Sequence, residues 1–101
     1  MHPIIDSKLE EIQKACNKYD VKTLYLFGSA SKDSYTKDSD LDFLVSFKEM
    51  PLEKYSDNYF ALNYQFRELF EKEIDLITDK SLSNPYFIEE INKSKKLIYE
   101  S

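Results

Sequence analysis

The sequence has very few of the residues that build the commonest catalytic and binding sites. Its 101 residues include one glycine, one cysteine, one histidine and no tryptophan. A single cysteine excludes an intramolecular disulfide and a cysteine-rich zinc site. A single histidine, His2, gives almost no support to Ser-His-Asp or Cys-His hydrolytic sites. The phosphate loops Gly-x₄-Gly-Lys-Ser/Thr and Gly-x-Gly-x-x-Gly are also absent.

Basic charge and long apolar runs are scarce as well. The net charge is −5, and no apolar run approaches the roughly 18 residues that cross a bilayer. Direct nucleic-acid binding is disfavoured, because phosphate contacts require a basic face. The hydrophobic content of 42% suits one modest core, and we expect a single domain over 1–101. The first residues lack a signal-peptide pattern, so we expect a cytoplasmic protein.

The only glycine, Gly28, follows an apolar strand pattern and precedes Ser29. Glycine permits a positive φ and allows the backbone to approach a ligand closely. Exposed N–H groups at a following turn would attract an anion. The simpler interpretation is a tight turn after a strand, but an aspartate pair twelve residues later favours a phosphate site.

That pair is Asp40 and Asp42, one residue apart in a predicted strand at 40–47. Side chains alternate across a strand, so both carboxylates share one face, roughly 6–7 Å apart at the backbone, opposite an apolar face. Carboxylates together with substrate phosphates are ligands of Mg²⁺. Asp75 lies in a strand predicted at 73–78, which we expect to be central; an edge position is the alternative. These three carboxylates and the Gly28 turn predict phosphoryl or nucleotidyl transfer with two Mg²⁺ ions.

Hydrophobic periodicity predicts alternating helices and strands. Helices are expected at 3–19 and 52–72 and from Asn84-Pro85 onward, a polar helix or loop at 30–38, and strands at 22–28, 40–47, 73–78 and 96–100. This order is typical of a two-layer α/β or α+β domain. Cys16 lies on an apolar stripe and is predicted to be a core residue. In the long helix, Phe60, Tyr64 and Phe70 either widen the buried face or form an exposed patch for a partner.

At these residues the chain resembles the nucleotidyltransferase superfamily that includes DNA polymerase β. The signature reads Gly28-Ser29, then Ser39-Asp40-Leu41-Asp42, then Asp75. The resemblance is closest to minimal nucleotidyltransferase (MNT) domains and extends over nearly the whole chain. It implies a polymerase β-like fold with a mixed sheet of about four strands and helices packed against it.

The resemblance also implies roles for these residues. Asp40 and Asp42 would bind both Mg²⁺ ions, while Asp75 would bind the catalytic ion and assist deprotonation of the acceptor hydroxyl. Gly28 and Ser29 would hold the β- and γ-phosphates of an NTP, with ATP expected.

Ser39 and Lys32 complete the predicted phosphate-binding set. After Gly-Ser, many relatives continue with Arg-Ala-Arg-Gly. This chain continues with Ala30-Ser31-Lys32-Asp33. Lys32 would replace one arginine as a point charge, although lysine cannot form the bidentate fork of arginine. Asp33 adds negative charge nearby.

The resemblance leads to three functional hypotheses. Many family members resemble antitoxins that silence a helical HEPN-type toxin by transferring AMP to one of its tyrosines, and this is the first hypothesis. The second is a catalytically silent antitoxin that acts by binding alone. The third is a small-molecule nucleotidyltransferase of the aminoglycoside-modifying type, in which a homodimer or a second chain would have to complete the acceptor site.

Overall fold

The computed structural model describes residues 3–28 and 40–101. Within these ranges the chain forms helices α1 (Pro3–Ser7) and α2 (Leu9–Lys18), strands β1 (Val21–Phe27) and β2 (Leu41–Phe47), and helix α3 (Leu52–Phe70). Strand β3 (Ile74–Thr78), a 3₁₀ turn (Asp79–Ser81), helix α4 (Pro85–Ser94) and strand β4 (Lys96–Glu100) follow. This is the predicted mixed α+β fold.

The four strands of the described residues form one mixed sheet in the order β3-β2-β1-β4. Strand β1 pairs antiparallel with both β2 and β4, whereas β2 and β3 run parallel. Strand β3 is therefore an edge strand, so the expectation that Asp75 lies in a central strand is wrong. Within the described chain β3 pairs only with β2, because β1 occupies the other side of β2.

One face of the sheet carries the main hydrophobic core. The alternating residues of β2 that were predicted to be apolar and buried are 0–8% exposed: Leu41, Phe43, Val45 and Phe47. Helices α2 and α3 pack on this face, and Phe66 of α3 lies against Phe43 with 5.3 Å between ring centroids. Cys16 of α2 is fully buried here, as predicted.

Helix α4 packs on the opposite face of the sheet. Its Ile91, 2% exposed, forms a second, smaller cluster with Phe27 of β1 and Leu44 of β2. Helix α4 begins where the sequence indicates, because Pro85 occupies the first turn and the Asn84 side chain accepts hydrogen bonds from two backbone N–H groups. This second cluster places α4 beside the carboxylates, which lie on the same face.

Two details differ from the sequence predictions, and the burial of three aromatic residues that the sequence left open is now given. The first helix is interrupted by a turn at Lys8, so that it forms two helices. The apolar residues of the helix predicted at 52–72 recur at three–four spacing from Leu52 onward and are expected to form a buried stripe, but Leu52, in the first turn of α3, is 79% exposed. Of the three residues beside the stripe, Phe70 is buried at 6% exposure, whereas Phe60 and Tyr64 are 69% and 67% exposed. Phe70 thus widens the buried face, whereas Phe60 and Tyr64 do not.

Among the described residues, none of the helices has the length and hydrophobicity that a membrane span requires.

Candidate active site

Asp42 occupies the centre of the candidate site. It lies at the second position of β2, opposite Phe27 of β1 and beside Asp75 of β3 in the strand register. Cross-strand partners project from the same face of a sheet. The carboxylates of Asp42 and Asp75 therefore share one face, which is also the face that α4 covers in part.

Gly28 follows β1 directly and lies against Asp42. Its φ is +72°, in the left-handed region that favours glycine. A Cβ at this position would overlap with Oδ2 of Asp42. The only glycine of the chain thus occupies a position where a side chain would be unfavourable for two reasons. The backbone is left-handed there, and the Asp42 carboxylate lies where a Cβ would be.

The environment of Asp42 raises the pKa of its carboxyl group to about 6. Burial is the largest cause, because it removes water from the charged form, and the negative charges of Asp75 and Asp40 add to the rise. Two neighbouring carboxylates therefore act on the half-buried carboxyl group of Asp42. A bound cation would relieve this repulsion.

Asp40 and Asp75 are both exposed to solvent. Asp40 immediately precedes β2 instead of forming its first residue, so the strand begins one residue later than predicted. Asp75 projects from the edge strand, as the alternative interpretation of the sequence had it. Among residues 3–28 and 40–101, no three His, Cys, Asp or Glu side chains converge closely enough to form a metal-ligand cluster.

The remaining predicted site residues are Ser29, Lys32 and Ser39, which lie outside the described residues. So does the segment predicted at 30–38 as a polar helix or loop.

A pocket of 310 Å³ lies over this face of the sheet. Its lining residues come from the sheet side and from α4: Phe27, Gly28, Asp42, Asp75, Phe87, Glu90, Ile91 and Ser94. The sequence analysis did not identify the lining residues of α4 as part of the site. Their spacing of three, four and seven residues from Phe87 marks one helix face, but only the packing of α4 reveals that this face borders the aspartates.

The donor set fits a hard divalent cation such as Mg²⁺. Carboxylate oxygens are the ligands that such ions prefer, and the pKa of Asp42 is raised by burial and, after burial, by the adjoining negative charges of Asp75 and Asp40. Because Gly28 has no side chain, the carboxylate of Asp42 can lie directly against the backbone there. Because no three carboxylates converge among the described residues, Asp42, with Asp75 and Asp40, could hold the ion only together with water and substrate phosphate as further ligands.

Comparison with known proteins gives consistent matches. The family model described as "Polymerase beta, Nucleotidyltransferase" matches residues 10–101. A protein of Methanocaldococcus jannaschii named "Putative protein adenylyltransferase" is 37% identical over 83 residues, which cover 82% of this chain and 80% of that protein. A second protein with this name from the same organism is 35% identical over 82 residues, covering 81% of this chain and 79% of the other.

Solved structures share the fold. A crystal structure described as a toxin–antitoxin with AMP-PNP superposes with a TM-score of 0.72 at 19% identity, covering 92% of this chain and 73% of that one. A chain from the complex of a tri-AMPylated Shewanella oneidensis HEPN toxin with its MNT antitoxin gives a TM-score of 0.67 at 17% identity, covering 95% and 72% of the two chains. At these identities the likeness concerns the fold.

Proposed function

Because the chain belongs to the polymerase β nucleotidyltransferase family, we propose that it is a Mg²⁺-dependent protein adenylyltransferase. In this proposal it transfers AMP from ATP to a tyrosine hydroxyl of a HEPN-type toxin and thereby acts as the antitoxin. The observation that carries the proposal is the placement of Asp42 against Gly28 and Asp75 in one pocket. ATP as the donor is compatible with the cytoplasm as the site of action.

Each residue of the proposed site has a chemical role. Asp42, Asp40 and Asp75 would hold two Mg²⁺ ions, which supply charge neutralisation at the phosphates. The backbone at Gly28, with Ser29, Ser39 and Lys32, would hold the β- and γ-phosphates.

In the reaction, the acceptor oxygen forms a bond to the α-phosphorus and the bond to the β-phosphate breaks, releasing pyrophosphate. Asp75 would accept the proton of the hydroxyl. Its exposed position on an edge strand leaves it accessible to a hydroxyl carried by another protein.

The names of the relatives support this choice of acceptor. The M. jannaschii proteins are named as protein adenylyltransferases, and the S. oneidensis structure joins an MNT antitoxin to an AMPylated HEPN toxin. We therefore propose a hetero-oligomer with a HEPN-type toxin as the working form. A homodimer would be the alternative assembly.

Calorimetric titration with ATP, with and without Mg²⁺, tests the proposed site. Wild-type protein should bind ATP only with Mg²⁺, and Asp40→Asn/Asp42→Asn should lose this binding while keeping its circular dichroism spectrum. Equal ATP binding by the wild type and the double variant would show that the nucleotide binds at a site that does not contain Asp40 and Asp42. Glu53→Gln, an exposed acidic residue at the start of α3, is a control for loss of negative charge.

The silent-antitoxin alternative makes a different prediction for the same double variant. If neutralisation needs only binding, cells that express the toxin with Asp40→Asn/Asp42→Asn would survive as they do with the wild type. The proposed enzymatic function predicts that the double variant fails to protect them.

A further inference from the structure

Helix α4 forms one wall of the pocket that contains Asp42. Its four lining residues are Phe87, Glu90, Ile91 and Ser94, which lie on one helix face at i, i+3, i+4 and i+7. Ile91 is 2% exposed, whereas Phe87 is 41% exposed. Ile91 therefore anchors the helix on the sheet, and Phe87 keeps much of its surface available.

The ring of Phe87 is held in position by Phe27. The two ring centroids are 6.2 Å apart with an interplanar angle of 74°, an edge-to-face arrangement. Phe27 is only 6% exposed and precedes Gly28 directly in the chain. A ring that is already ordered loses little side-chain entropy when a second flat group packs on it.

The pocket has two chemically different sides. The sheet side presents Gly28, the carboxylates of Asp42 and Asp75 and the ring of Phe27, while the α4 side presents the ring of Phe87 and the aliphatic side chain of Ile91 together with the polar Glu90 and Ser94. Among the described residues, α4 brings one charged group into the pocket, the carboxylate of Glu90, which would repel phosphate. The phosphates of a nucleotide therefore belong on the Gly28 side, with the cation.

A nucleotide has a matching asymmetry, since a flat base with two apolar faces is joined to an anionic chain. The pocket volume of 310 Å³ is near the lower end of the range for small-molecule sites, about 300–1,000 Å³. Bases stack well on aromatic side chains, because every base has a π-face.

We propose that Phe87 is the residue on which the base of the donor nucleotide stacks. This inference rests on the proposed function and adds a base-binding residue to it. Alternatively, an aromatic side chain of the acceptor protein could stack on the ring of Phe87 in place of the base. The experiment below separates these two possibilities.

The test is calorimetric titration of the full chain with ATP and, separately, with inorganic tripolyphosphate, both with Mg²⁺. The variant Phe87→Leu keeps an apolar side chain against Phe27 but lacks the ring, and Phe87→Tyr keeps the ring. Tyr86→Leu is the matched control, because Tyr86 is the neighbouring residue on α4, is 80% exposed and does not line the pocket.

We expect Phe87→Leu to weaken ATP binding by about 5- to 100-fold, the effect of losing one base–aromatic stack. Its affinity for tripolyphosphate should remain that of the wild type. Phe87→Tyr and Tyr86→Leu should both bind ATP like the wild type.

Unchanged ATP affinity in Phe87→Leu would overturn the inference and leave the proposed function intact, with the ring then assigned to the acceptor. An equal loss of ATP and tripolyphosphate would also overturn it, because Phe87 would then only maintain the shape of the pocket. A wild type that binds neither compound would refute the proposed function itself, and this inference with it.

Discussion

Asp42 and Asp75 are register partners on the parallel strands β2 and β3, and their side chains project from the same face of the sheet. The charge of Asp75, after burial, is the next cause of the raised pKa of Asp42. A fold selected only for stability would avoid two adjacent carboxylates with this consequence. The pair is explained if a cation and a phosphate complete the site.

The first prediction concerns the stability of Asp42→Asn at different pH values. The folded-state pKa of Asp42, about 6, exceeds its ordinary value of 3.8. The ionised carboxylate therefore destabilises the fold above pH 6, and the penalty disappears below the unfolded-state pKa. In metal-free buffer, urea unfolding should show Asp42→Asn to be more stable than the wild type by about 1–3 kcal/mol at pH 7.5, with a smaller difference at pH 4.5.

Magnesium provides the control for this prediction. Adding Mg²⁺ at pH 7.5 should stabilise the wild type, because the ion binds the folded state, and should leave Asp42→Asn unchanged. If the unfolding free energies of wild type and Asp42→Asn differed by the same amount at pH 7.5 and pH 4.5, the ionised carboxylate of Asp42 would not be the source of the destabilisation.

The second prediction concerns Gly28→Ala. An alanine at φ +72° costs about 1–2 kcal/mol of unfolding free energy, and its Cβ would displace the Asp42 carboxylate. We expect loss of Mg²⁺-dependent ATP binding by calorimetry, together with that decrease in stability. Glu71→Ala is the control: Glu71 also has a positive φ, 53°, but caps α3 away from the pocket, so ATP binding should persist.

Much of this fold could be predicted because its signals are local. The alternation of apolar and polar residues in β2 correctly predicted its buried face, since Leu41, Phe43 and Val45 are fully buried. Asn84-Pro85 gave the start of α4, since a cap and a first-turn proline act on adjacent backbone groups. The strand that contains Asp75 was likewise found from its own residues.

The remaining features depend on contacts between elements that are distant in sequence. That Asp75 lies on an edge strand follows from the order β3-β2-β1-β4, which no single strand pattern encodes. That Phe87 and Glu90 line the pocket follows from α4 packing on the face opposite to α2 and α3. Helical periodicity identifies a face of a helix but does not identify its partner.

The third prediction uses the cap of α4. The Asn84 side chain accepts hydrogen bonds from the N–H groups of Tyr86 and Phe87, at 2.9 and 3.3 Å. Asn84→Ala should lower the unfolding free energy by about 0.5–2 kcal/mol. Because the same turn carries Phe87, ATP affinity should also fall slightly. Asn92→Ala, an exposed site on the same helix, should leave ATP affinity unchanged, and equal effects of the two variants would contradict the capping role.

The fourth prediction concerns Cys16. Burial raises the pKa of its thiol to about 12, and the side chain is fully buried between α2 and the sheet. The thiolate is the reactive form, so a thiol reagent at pH 8 should react with the native protein only through unfolding. The rate should rise steeply in urea; rapid labelling without urea would show that the α2 face opens in the native state.

The most direct test of the central claim uses ATP labelled at the α- or the γ-phosphate. The protein is incubated with Mg²⁺ and the HEPN-type toxin that the proposed function requires, and the label on each chain is measured after denaturing electrophoresis. The proposed function predicts transfer of the α-label to the toxin, no transfer of the γ-label, and no transfer by Asp42→Asn. Transfer of the γ-label, or equal α-labelling by wild type and Asp42→Asn, would contradict it.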